Sequence, residues 1–138
     1  MPRSVFIDTS AWYGLADPGD FFHKIASSTY STLLRRGVSF VTTNLVVAES
    51  QALILHKMHR VAAQRFLTIT HANPRLQIIY ATVEINTLAE ALLEQYRDQN
   101  FTLTHAMSFV VMRERQLTHA FTFDHHFAIA NFVLVPAV

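Results

Sequence analysis

Residues 4–13 read Ser4-Val5-Phe6-Ile7-Asp8-Thr9-Ser10-Ala11-Trp12-Tyr13. Val5, Phe6 and Ile7 form a short apolar run of strand character. The chain then turns polar at Asp8-Thr9-Ser10 before entering an apolar-rich segment. A strand this short and this apolar reads as buried on both faces, which is the habit of parallel strands. The same design returns near the other end, where Ala120-Phe121-Thr122-Phe123 runs into Asp124. Three more runs have strand character: Val38 to Val41, Leu76 to Tyr80 and Phe132 to Val135. Between them the spacing predicts helices. One passes through Phe22, Ile25, Tyr30 and Leu33 and stops at Gly37, with Asp20 or its neighbours as cap. Another runs from the caps Thr42-Thr43-Asn44 to about Lys57, and a third covers Val61 to Ile69, before Asn73-Pro74. Thr82 to Arg97 and Thr104 to Arg115 follow, and a short helix comes after Asp124. Strands alternating with helices predict an α/β fold with a mostly parallel sheet.

Composition narrows the class. With 138 residues, 51% hydrophobic and 15% charged, the chain is expected to be one domain (1–138) with a dense core. The net charge of +1 is neutral on the question of nucleic acid. The absence of Cys excludes disulfides and thiolate chemistry. No apolar run has membrane-spanning length and no signal-peptide core is visible, so a cytoplasmic protein without membrane association is expected.

Only ten residues are acidic, so their positions carry weight. Asp8 and Asp124 each follow a strand, and ligands of open α/β sheets bind beyond the carboxyl ends of the strands. Each Asp also reads as a helix N-cap. Glu49 lies too deep in its helix for a capping box. Its helical neighbours Leu45, Val46, Ala52 and Leu53 predict an apolar face, where an ionised carboxylate needs a metal or an Arg partner. Three carboxylates in one pocket would repel: at an effective dielectric of 20, two charges 4 Å apart interact by about 4 kcal/mol. Hard divalent cations relieve such repulsion, lower the pKa of bound water and stabilise phosphoryl transition states. The chemistry these residues point to is phosphodiester hydrolysis.

The ordered set strand-Asp-Thr-Ser, Thr42-Thr43-x-x-Val46-x-x-Glu49 and Thr122-Phe123-Asp124 resembles the PIN-domain family. The stretch from Tyr96 to Phe127 (YRDQNFTLTHAMSFVVMRERQLTHAFTFDHHF) is similar to the C-terminal half of VapC-type toxins and stand-alone PIN nucleases. The resemblance implies a three-layer α/β/α sandwich, an acidic Mg²⁺ or Mn²⁺ site and endonucleolytic cleavage of RNA. It also implies, for toxin members, a homodimer neutralised by a small antitoxin. Asp8, Glu49 and Asp124 match the first, second and last acids. His105 stands in Thr102-Leu103-Thr104-His105 where the family places a third Asp. Imidazole is a poor Mg²⁺ ligand and a better one for Mn²⁺ or Zn²⁺. The departure leaves open an altered metal site, or a degenerate fold that binds RNA or a protein without cutting.

Several other residues are candidates, each with an ordinary alternative. His105 also reads as a solvent-facing first-turn residue. Asp98 could replace the missing charge, or could simply end its helix. Thr9, Ser10, Asn44 and Thr122 could fix a carboxylate by hydrogen bonds, or serve as caps and strand residues. Lys57 and Arg60 could meet RNA phosphates, or solvate a helix corner. Of His125 and His126, at most one can face the site. Trp12 is assigned to the core.

Overall fold

A computed structural model of the chain describes residues 2–137. Met1 and Val138, the ends of the expected domain, lie outside the described residues. All five expected strands are present, with ends shifted by up to two residues. They are β1 (Ser4–Ile7), β2 (Ser39–Thr43), β3 (Leu76–Ile79), β4 (His119–Phe121) and β5 (Val133–Val135). The helices are α1 (Thr9–Ala16), α2 (His23–Arg35), α3 (Asn44–Lys57), α4 (Arg60–Ala72), α5 (Val83–Gln95), α6 (Leu103–Glu114) and α7 (His126–Ile129). The strands form one parallel sheet in the order β3-β2-β1-β4-β5. On one side α1 packs on α2 and α3, and α3 packs on α4; α5 and α6 pack together as the other layer.

The apolar strand residues do what their pattern demands. Val5, Phe6, Ile7, Phe40, Ala120 and Phe121 are all at most 1% exposed. Each buried Phe of this kind stabilises the fold by about 1.5–3 kcal/mol. Seven of the eleven Phe are buried, among them Phe109 and Phe127, which meet edge to face at 5.0 Å. Trp12 is core as expected, 5% exposed and edge-on to Phe66. Gly37 ends α2 with a φ of +74°, in the left-handed region glycine tolerates.

The strand order fixes where the site must be. β2 and β3 lie to one side of β1, and β4 and β5 to the other, so the chain reverses direction of travel between β1 and β4. This is the topological switch point, where the crevice beyond the strand ends opens. Asp8 follows β1 and Asp124 follows β4. The Asp8 amide donates to the Phe121 carbonyl at 3.1 Å, which stitches the two ends together.

Candidate active site

Asp8 is 4% exposed and wrapped in hydroxyls. Its Oδ2 accepts from Thr122 at 2.9 Å and from Ser10 at 3.2 Å. Thr122 is fully buried, and its Oγ1 also accepts the Asp124 amide at 2.9 Å. Ser10 Oγ lies 3.1 Å from that oxygen and accepts the Phe123 amide at 2.9 Å. Two hydroxyls therefore link the carboxylate after β1 to the backbone after β4. Burial pushes the Asp8 carboxyl above its ordinary range, against the opposing bonds from Thr122 and the Thr9 amide; the charge of Asp124 pushes it further up.

Asp124 is held by different chemistry. Its Oδ2 meets His105 Nε2 at 2.7 Å and its Oδ1 accepts the His126 amide at 2.9 Å. Burial raises its carboxyl, but the bonds from His105 and the His126 amide, with both imidazoles near, hold it at about 2. His126 Nδ1 sits 3.0 Å from Oδ1, off the line a hydrogen bond needs, and is buried without a partner. The two rings stand 4.8 Å apart against Phe101, and His105 also lies against Phe109 and Phe127.

The His105 side chain is 13% exposed, so it does not face solvent. Thr102 caps α6 by accepting the His105 amide, and His105 Nδ1 accepts the Thr102 amide at 3.0 Å in return. An imidazole whose Nδ1 accepts carries its proton on Nε2, which then donates to Asp124. Coordinating a cation through Nε2 would move that proton to Nδ1, facing the Thr102 N–H donor. Burial disfavours the imidazolium, but the Asp124 bond and the charges of Asp124, Asp8 and Glu49 together raise the His105 pKa. Of the three acids, Asp124 is the one in contact with the ring.

Glu49 corrects one expectation. It is exposed, because the buried stripe of α3 runs through Val46, Val47, Ser50 and Ile54, and Glu49 sits on the flank. The expected apolar face around it is therefore absent, and so is the burial cost inferred from it. Among the described residues it has no ion-pair partner. Asp98 is exposed in the turn after α5 and is not among the charges acting on His105. Asn44 lies outside the carboxylate network, because its Oδ1 accepts the Ala81 amide at 2.9 Å and ties α3 to the end of β3. Thr9 is buried beside Asp8 with its hydroxyl unpartnered. Lys57 is exposed over the Tyr13 ring at 5.3 Å, and Arg60 is exposed at the start of α4. His125 is exposed, so His126 is the one of the pair that joins the site. Sequence alone does not separate His126 from His125; its one signal is its place two residues after Asp124.

The donors suit a divalent cation. Asp8 and Asp124 offer hard carboxylate oxygens, while ligand atoms of His105, Asp124 and His126 lie within 4.8 Å of one another. The unpartnered His126 Nδ1 is the observation that tests the fit, since a cation beside Asp124 would satisfy it. A mixed oxygen and imidazole set suits Mn²⁺ better than Mg²⁺.

The model of the PIN domain matches residues 5–133. The chain is 28% identical over 136 residues to the 23S rRNA-specific endonuclease VapC20 of Mycobacterium tuberculosis, in two strains, covering 95% of this chain and 97% of the relative. Among solved structures it is similar to a crystal structure of M. tuberculosis VapC20, described as a Sarcin-Ricin loop cleaving toxin. The TM-score is 0.87 at 26% identity, over 94% of this chain and 96% of the other.

Proposed function

This chain belongs to the PIN-domain family, and from that premise we propose that it is a metal-dependent endoribonuclease, the toxin of a toxin-antitoxin pair. The observation that carries the reading is the pairing of Asp8 and Asp124 at the switch point, joined by Thr122 and facing His105. Asp8, Asp124 and Glu49 are the residues that would hold a divalent cation, with His126 Nδ1 as a fourth donor; Mn²⁺ is the better match, Mg²⁺ the alternative. When bound, such an ion activates water and stabilises charge on a phosphate under attack.

The protein's own residues do the positioning. Thr122 and Ser10 fix Asp8 by donating to one oxygen, so its orientation is set before substrate arrives. His105 donates to Asp124 and keeps it anionic and oriented, acting on the carboxylate rather than as a ligand. The aromatic wall of Phe101, Phe109 and Phe127 holds the ring in that pose. Lys57 and Arg60, exposed at the corner between α3 and α4, would meet RNA phosphates. As a toxin the chain would act in the cytoplasm as a homodimer, opposed by a small antitoxin. The first substrate to test is a hairpin carrying the sarcin–ricin loop of 23S rRNA, by analogy with VapC20. Incubated with Mn²⁺, it is expected to be cut at one position. No cut in this hairpin or in total ribosomal RNA, with either ion, would contradict the proposal.

A further inference from the structure

Phe21 is 90% exposed, while most Phe in the chain are core. It stands on the segment between α1 and α2, and that segment is firmly built. The Asp17 Oδ1 accepts the Gly19 amide at 2.8 Å and the Asp20 Oδ2 accepts the Phe22 amide at 3.0 Å. Tyr13 donates its hydroxyl to Asp17, and His23 Nδ1 lies 2.8 Å from the Gly14 carbonyl. The exposed ring therefore projects from a fixed turn rather than from a loose tip.

The segment also connects to the site. Phe22 stacks on Phe123, ring centroids 4.2 Å apart and planes 8° from parallel, and Phe21 meets Phe22 edge to face at 5.0 Å. Phe123 is bonded through its amide to Ser10 and is followed by Asp124. A line of three aromatic rings thus runs from the residue before Asp124 to open solvent. The carboxylates of Asp17 and Asp20 brace the segment's own turns and are only partly exposed, whereas the Phe21 ring stands almost wholly in solvent.

We propose that Phe21, braced by Phe22 and Phe123, is a stacking platform for an unstacked base of the RNA next to the scissile phosphate. This inference rests on the ribonuclease reading. Proteins that act on single-stranded loops take up splayed bases on aromatic side chains, and such stacking tolerates any base identity. A rigid platform suits this role because little ordering cost is left for the binding step. Phe21 would then set affinity for loop RNA, while the carboxylates set the rate of cleavage.

The test compares wild type, Phe21→Ala and Phe21→Trp on the sarcin–ricin hairpin, carrying 2-aminopurine at each loop position in turn. The expected result is a KM about tenfold higher for Phe21→Ala with kcat little changed, recovery in Phe21→Trp, and fluorescence quenching at one loop position that is lost in Phe21→Ala. Equal melting temperatures would exclude misfolding. A Phe21→Ala variant with wild-type KM and quenching overturns the platform while leaving the ribonuclease reading intact. So does a loss confined to kcat, or to binding of a protein partner. A wild-type chain that neither binds nor cuts RNA overturns both.

Discussion

Asp8 and Asp124 occupy equivalent places, each one to three residues past the end of a central parallel strand, yet the protein treats them in opposite ways. Asp8 is set among hydroxyls and nearly dry, so its carboxyl is pushed up and resists ionising. Asp124 keeps 27% of its side chain exposed, has two imidazoles beside it and is held at about 2. The surroundings of one carboxylate favour its charge and those of the other disfavour it. The pairing gives the crevice a fixed anchor on the β4 side and a responsive ligand on the β1 side. Thr122 is the hinge of the comparison, since its single hydroxyl serves both.

The largest effect should come from removing the anchor. Asp124→Asn is expected to lower RNA cleavage on the order of 10³-fold, as for loss of a group that acts on transition-state charge; steady-state assays in Mn²⁺ measure it. Equal activity would end the claim that this half carries catalysis. Next comes the shared hydroxyl. Thr122→Val should cost about 10–100-fold in activity or cation affinity, and about 1–3 kcal/mol in stability from a buried carboxylate left short of a donor. Thr122→Ser should restore most of both, because it returns the hydroxyl; denaturant melts alongside kinetics would show it.

The two halves should also part in sign. In metal-free buffer at neutral pH, Asp8→Asn is expected to raise the melting temperature and Asp124→Asn to lower it. The sign follows from proton counts. As pH falls from 3.8 to about 2, the unfolded chain takes up a proton at Asp124 that the folded chain refuses, so that contribution is present above this window and lost within it. At Asp8 the folded chain is the tighter proton binder, so stability is lost as pH rises above 3.8. Melts from pH 2 to 8 on both variants test this. Shifts of the same sign would collapse the distinction.

The smallest expected effect lies away from the pair. Burial and the bond to Asp17 push the Tyr13 hydroxyl up to about 12. Its contribution to stability is therefore intact below pH 10 and lost between pH 10 and about 12, and Tyr13→Phe should flatten that part of the melting profile.

The sheet was legible because its signal is local: apolar runs of four residues, bounded by polar caps, need no knowledge of distant contacts. The aspartates were legible for the same reason, since a strand followed by an acid places that acid at the crevice. Glu49 was harder. Its neighbours three and four positions away are apolar, but the angular limit of the buried stripe on α3 depends on what packs there, and Glu49 falls just outside it. His105 could be recognised as a departure from the family pattern. That its Nδ1 closes a capping box and aims Nε2 at Asp124 depends on a residue 19 positions away. Ser10 and Thr122 are 112 positions apart in sequence and meet only in the fold. Nothing in the sequence singles out Phe21, because hydrophobicity alone does not separate a packed ring from a presented one.

The most direct measurement is cleavage of the sarcin–ricin hairpin by the purified chain, with Mn²⁺, with chelator, and with Asp8→Asn in Mn²⁺. Expected is a single cut in Mn²⁺, none in chelator, and a loss on the order of 10³-fold in Asp8→Asn although that variant melts no lower than wild type. Cleavage that survives both the chelator and Asp8→Asn would contradict a site built on this pair of aspartates.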